Sequence, residues 1–218
     1  MSRRGIERKD KSRGTMREAS QQDAWCVSDE DRRCIAEDLG REPAGRFRVA
    51  WRTASGRPGV IENHPVRIDG QGPPEPFPTT HWLVEPSRVA AMSRLESAGG
   101  VAELERVLAQ DAELAARVAE DHRRLIAYRL SLLDPAERGA LRAAGRLAAL
   151  TDRGLAGLAD FTRVKCLHAW LAHHLVMGNA PGPWLVDTMR ERCDAWFSGV
   201  ATELRSADVQ AKLRCDPH

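Results

Sequence analysis

Cys166, His168 and His173 are the residues whose types and spacing most directly suggest chemistry, because thiolate and neutral imidazole are the ligands that zinc and similar soft divalent ions prefer. On a regular helix at about 100° per residue, Cys166 and His173 share a face, while His168 is turned from Cys166 by about 160°. Two helical turns also separate Cys166 from His173 by about 10.5 Å, too far for two ligands that each sit roughly 2.0 to 2.3 Å from one ion. A metal held by Cys166, His168 and His173 would need a break in the helix, or remote help from His81, Glu85 or Cys193. The plainer reading is a buried, unreactive Cys166 thiol and hydrogen-bonded histidines between packed helices.

A pocket is more compatible with helical geometry. Arg163, Trp170 and His173 follow one side of the same segment, and His81 from a strand and Arg94 from another helix would complete a site receptive to a small anion or a partner protein. Against it stands the abundance of arginine, most of which is solvated in any protein of this composition. Two weaker candidates are a basic stripe of His122, Arg123, Arg124 and Arg129 on a long helix, and an acid and base pair of Glu85 and Glu96. The chain has no P-loop, no GxSxG, no HExxH and no dinucleotide fingerprint.

The elements that must position these residues are of two kinds. Ser28 is a helix cap followed by Asp29, Glu30 and Asp31, and Gly40 ends that helix. Phe47 to Trp51 alternates apolar and charged residues as a half-buried strand does, Pro58 to Asn63 is its return strand, and Thr79 to Val84 is a third. Prolines and glycines from Pro65 to Pro78 predict a loop. From Ser87 onward the period is helical: Ser87–Ala98, Val101–Gln110, Ala112–Leu133, Pro135–Leu150, Arg163–Met177, Trp184–Phe197 and Gly199–Leu213. Strands first and helices after predict an α+β fold, a small antiparallel sheet of about three strands packed against a helical half. Phe47, Val49 and Trp51 are expected on one face, covered by the Arg163–Met177 helix.

Composition limits the rest. With 33 basic and 31 acidic residues among 218, the body gives no reason to expect a nucleic acid or an anionic membrane as partner. No apolar run approaches a membrane span, the start is charged where a secretory signal is apolar, and five scattered cysteines lack a CxxC pair, so a cytoplasmic protein with reduced thiols is expected. Residues 1–25 read as a disordered basic tail, and 26–214 as a single α+β domain with strands at about 47–84 and helices at about 86–213. Arginine-rich composition suggests a high-GC bacterial source.

Three stretches carry a family resemblance: Pro76-Phe77-Pro78-Thr79-Thr80-His81-Trp82-Leu83, Ser93-Arg94-Leu95-Glu96-Ser97-Ala98-Gly99-Gly100, and Arg163-Val164-Lys165-Cys166-Leu167-His168-Ala169-Trp170-Leu171-Ala172-His173. In this order, over about Ser28 to Asp187, the chain resembles the bacterial domain of unknown function 501 family. The resemblance implies no activity. Family members often carry cysteines just after the first strand and near the proline ending the third, where this chain reads Trp51-Arg52-Thr53 and Val84-Glu85-Pro86, so a metal site built on those cysteines does not carry over.

The expected function is binding of a small anion or a partner protein at a pocket around the Arg163–His173 helix, formed by His81, Arg94, Arg163, Trp170 and His173. The first alternative is a metal-assisted hydrolase using Cys166 and His173, with zinc as the ion these residues admit. The second is RNA binding through the basic tail. No motif requires a cofactor, and no residue pattern decides whether the protein is an enzyme.

Overall fold

The computed structural model describes residues 25–67 and 74–192. Helix α1 (Asp29–Leu39) begins where Ser28 accepts the Asp31 amide and ends at Gly40, whose left-handed φ of 67° lets its amide close the last turn. Strands β1 (Phe47–Arg52) and β2 (Pro58–Asn63) form an antiparallel hairpin. Next comes a two-residue ladder of β3 (Val66–Arg67) with β4 (Glu75–Pro76), inside the stretch that sequence alone reads as loop. Strand β5 (His81–Leu83) pairs antiparallel with β2, giving a three-stranded sheet of order β1-β2-β5. The protein is therefore α+β with a small antiparallel sheet.

All six residues of β2 are buried, so this strand is covered on both faces. On one face Ile61 packs with Phe47, Val84 and Ile35 of α1. On the other, Val60 and Leu83 join a larger core containing Leu167, Trp170, Leu171 and Leu175. Trp51 packs with this second core, and Phe47 and Val49 with the first. The expectation that all three share one face fails because the register shifts between Val49 and Trp51, and a bulge turns the following side chain to the opposite face. The Trp51 ring then lies against the Cα of Gly59 on β2, leaving no room for a Cβ there.

The helical half is α2 (Pro86–Ser97), α3 (Gly100–Gln110), α4 (Ala112–Ser131), α5 (Pro135–Ala143), α6 (Ala148–Thr151), α7 (Leu167–Met177) and α8 (Gly182–Arg192). Local chemistry sets the starts. Glu85 caps α2 with Pro86 in its first turn, Asp111 caps α4, and Asp134 with Glu137 forms a reciprocal capping box on α5. The expected helix at Pro135–Leu150 is split into α5 and α6 at Gly145, whose φ is 66°. Helix α7 begins four residues later than the sequence pattern suggests, at Leu167. The expected helix at Gly199–Leu213, residues 1–24 of the expected basic tail 1–25, and Cys193 lie outside the described residues. Among the described residues no helix is long and apolar enough to cross a membrane.

Because the Trp51 ring occupies the space of a Cβ at position 59, Gly59→Ala is expected to destabilise the fold by about 1–3 kcal/mol through overpacking. Urea unfolding of the variant checks this, and unchanged stability would refute the seating of Trp51 on Gly59.

Candidate functional site

Helix α7 begins late because its first amide has a partner from another element. The Leu167 N–H donates to Glu96 Oε1 at 2.6 Å, so a carboxylate from the last turn of α2 caps α7. Cys166 consequently sits outside the helix, with extended φ and ψ of −114° and 113°, and is half-buried. The expected buried thiol inside the helix is thus corrected, and the argument from helical spacing between Cys166 and its neighbours no longer applies.

His168, in the first turn of α7, turns back toward the same place. Its Nδ1 is 3.1 Å from Glu96 Oε1 and 3.8 Å from Cys166 Sγ. Its Nε2 is 3.1 Å from the Val89 carbonyl and from Ser93 Oγ, both on α2. The hydrogen bond with Cys166, followed by the Glu96 carboxylate, favours the protonated ring and raises the His168 pKa to about 9. One atom from each of Glu96, Cys166 and His168 lies within 4.8 Å of the others.

Cys166 and His168 line a cleft of about 440 Å³ with Leu39, Arg41, Thr79, His81, Trp82, Leu83, Ala156, Lys165 and Ala169. Ala156 holds a left-handed φ of 53°, a conformation that costs a residue bearing a Cβ roughly 1–2 kcal/mol. Buried His122 fixes this wall: its Nδ1 accepts the Leu155 amide at 2.9 Å and its Nε2 donates to the Arg163 carbonyl at 3.3 Å. His122 and Arg129 are both fully buried, and Arg129 donates to the carbonyls of Pro78 and Arg153. The basic stripe anticipated on α4 is therefore not a surface, because two of its four members anchor loops.

The five residues expected to share a pocket occupy different places. His81 and His173 meet, with Nδ1 atoms 3.2 Å apart and rings stacked at 5.3 Å, and both are buried. Behind His81, Glu62 is 1% exposed and pairs with Arg48, its Oε1 lying 3.6 Å from His81 Nε2. Burial pushes the Glu62 pKa up, but its bonds to His81 and Tyr128 and the Arg48 charge outweigh this and keep it ionised, while burial and Glu62 push the Tyr128 phenol to about 12. Trp170 is a core residue, edge-on to the His122 ring. Arg163 is exposed and pairs with Glu105. Arg94 lines a separate recess of about 160 Å³ with Thr188 and Met189. His173 is likewise not part of the Glu96, Cys166 and His168 cluster.

Glu85 and Glu96, considered as an acid and base pair, stand at opposite ends of α2, where Glu85 serves as the N-cap. Glu96 is the functional candidate that residue spacing alone could not assign to Cys166. Its available signal was that the Ser93–Gly100 and Arg163–His173 stretches both carry the family resemblance.

Residues 49–187, more than half of the chain, match the family model described as Protein of unknown function (DUF501). The chain belongs to the DUF501 family. No curated protein and no solved structure matches it. In this DUF501 protein Glu96, Cys166 and His168 fall inside the matched segment, whereas Arg41 precedes it.

The buried imidazoles set a pH dependence. Burial lowers the pKa of His64, His122, His173 and His174, and for His173 the neighbouring His81 lowers it further. Groups depressed in the folded state contribute stability that is complete above the unfolded value of about 6.5 and is lost as pH falls toward their folded values. His168, raised to about 9, acts oppositely, stabilising fully below about 6.5 and losing its contribution as pH rises through 9. Four groups outnumber one, so Tm is expected to fall between pH 7 and 5.5. Proton uptake on unfolding in that window, measured by calorimetry in buffers of different ionisation enthalpy, checks it; proton release would contradict it.

Proposed function

We propose that this DUF501 protein binds a small molecule bearing a phosphate or carboxylate group in the cleft between β5, the end of α1 and the start of α7. The observation that carries the reading is the placement of Arg41 and Lys165 on the walls of that cleft, with no ion pair to either among the described residues. Many other arginines of the chain are held by carboxylates, including Arg48, Arg52, Arg57 and Arg163. Two cations facing one concave space form a charge-assisted receptor for an anion.

The remaining lining supports a ligand with an apolar portion. Leu39, Trp82, Leu83, Ala156 and Ala169 contribute apolar surface, and the Arg41 guanidinium lies 5.2 Å from the Trp82 ring centroid, which orients its charge. A site of this kind, apolar with a few placed charges, is typical of small-molecule clefts. The loop strain at Ala156 also falls on this wall, as strained backbone often does at ligand sites.

Isothermal titration of the whole chain with phenyl phosphate, inorganic phosphate and benzoate tests the reading and separates the two anion types. Phenyl phosphate or benzoate is expected to saturate the protein. Arg41→Ala and Lys165→Ala should each weaken binding about tenfold, since a hydrogen bond to a charged group contributes about 1.5–3 kcal/mol. Absence of saturation with every probe at millimolar concentration, or affinity unchanged from wild type in both variants, would overturn it.

A further inference from the structure

We propose that Glu96, Cys166 and His168 form a zinc-binding site whose open coordination position faces the cleft. The inference stands apart from the anion-binding reading, since neither Arg41 nor Lys165 takes part in it.

All three ligand atoms lie within 4.8 Å of one another, and two of their separations are close to those around a tetrahedral ion. Ligands at roughly 2.0 to 2.3 Å from zinc lie roughly 3.3 to 3.7 Å from one another. The Cys166 Sγ to His168 Nδ1 distance is 3.8 Å and the His168 Nδ1 to Glu96 Oε1 distance is 3.1 Å, so small shifts admit the ion between them.

The orientation of His168 is a second, independent observation. Its Nε2 faces the Val89 carbonyl, which can only accept, so Nε2 carries a hydrogen and Nδ1, aimed at Cys166 and Glu96, is the nitrogen that gives up its proton when an ion binds. Metal-binding histidines are fixed in this way, with the far ring nitrogen donating to a backbone carbonyl or carboxylate. Ser93 Oγ, also 3.1 Å from Nε2, reinforces the ring position.

Charge and softness select the ion. A thiolate and a carboxylate together neutralise a dication, and a thiolate with an imidazole favours zinc over calcium or magnesium, which take oxygen ligands. Three protein ligands leave one position for water or an anionic group. Cys166 and His168 both line the cleft, so that position opens into it. The ligands sit on fixed elements: Glu96 in the last turn of α2, tied to the Leu167 amide, and His168 in the first turn of α7.

The test uses the full chain, stripped of metal and titrated with Zn²⁺ against a chromophoric chelator, and with Co²⁺ as a spectroscopic substitute. About one equivalent of Zn²⁺ is expected per chain, and the Co²⁺ form should show thiolate-to-metal charge-transfer absorption. Cys166→Ala and His168→Gln should each weaken Zn²⁺ binding about 100-fold or more, and Cys166→Ala should abolish the charge-transfer band, while Cys26→Ala and Cys34→Ala leave both unchanged. Glu96→Gln, which keeps an oxygen for the Leu167 amide, should weaken binding at least about tenfold with the far-UV circular dichroism preserved. Should Cys166→Ala fail to fold, the rate of iodoacetamide labelling of Cys166 in the wild-type chain decides: protection by one equivalent of Zn²⁺ supports the site. Less than about a tenth of an equivalent bound, affinity unchanged in Cys166→Ala, or unprotected Cys166 would overturn it. Loss of zinc binding with phenyl phosphate binding intact would remove this site and leave the anion reading standing.

Discussion

The contact between the Glu96 carboxylate and the Leu167 amide organises the functional side of the molecule. A helix start leaves amides without partners, and a side chain from α2 takes the first of them in α7. That one bond decides where α7 begins. It leaves Cys166 in extended backbone at the cleft edge, brings His168 back over Glu96, and joins α2 to α7 at the place where the cleft closes. With helix continued to Arg163, Cys166 would turn into the body of α7 and the cluster would not exist.

A second polar construction lies deeper. Arg48, Glu62, Tyr128, His81 and His173 run from β1 through β2, α4 and β5 to α7, with Glu62, His81 and His173 almost wholly shielded from water. Burying such groups is costly unless they are paired: Arg48 bonds to Glu62 and Tyr128, and His81 to His173, while Glu62 Oε1 and His81 Nε2 face each other across 3.6 Å. The chain fixes the face that β5 presents to α7, and with it the position of His81 on the cleft wall. Cleft and cluster therefore rest on a rigid floor, which a binding site needs if its geometry is to be held without loss of affinity to ordering.

The hairpin contributes through its irregularity. The bulge in β1 sends Phe47 and Val49 to α1 and Trp51 to the main core, so the strand feeds both hydrophobic layers. Gly59 accepts the Trp51 ring, and β2 is buried along its whole length as the shared wall. With α1 on one face and α7 on the other, the small sheet is covered twice, which three short strands require for stability.

Much of this was legible without coordinates. The ends of α1, the hairpin, the third strand, the change of period after Pro86 and the α+β class follow from caps, turns and alternation, which are properties of neighbouring residues. The family followed from three short stretches of residues. Tertiary structure alone decided the rest. Register at Trp51 depends on a bulge that alternation does not encode, and the start of α7 depends on a carboxylate 71 positions away. The partition of Arg94, Arg163, Trp170 and the two histidines among a recess, the surface and the core depends on packing between helices whose order in sequence says nothing of their distance in space. Sequence reports which residues can ligate or bind. Only long-range contacts, made when the helices close on the sheet, choose Glu96 in place of His173 as the neighbour of Cys166 and His168.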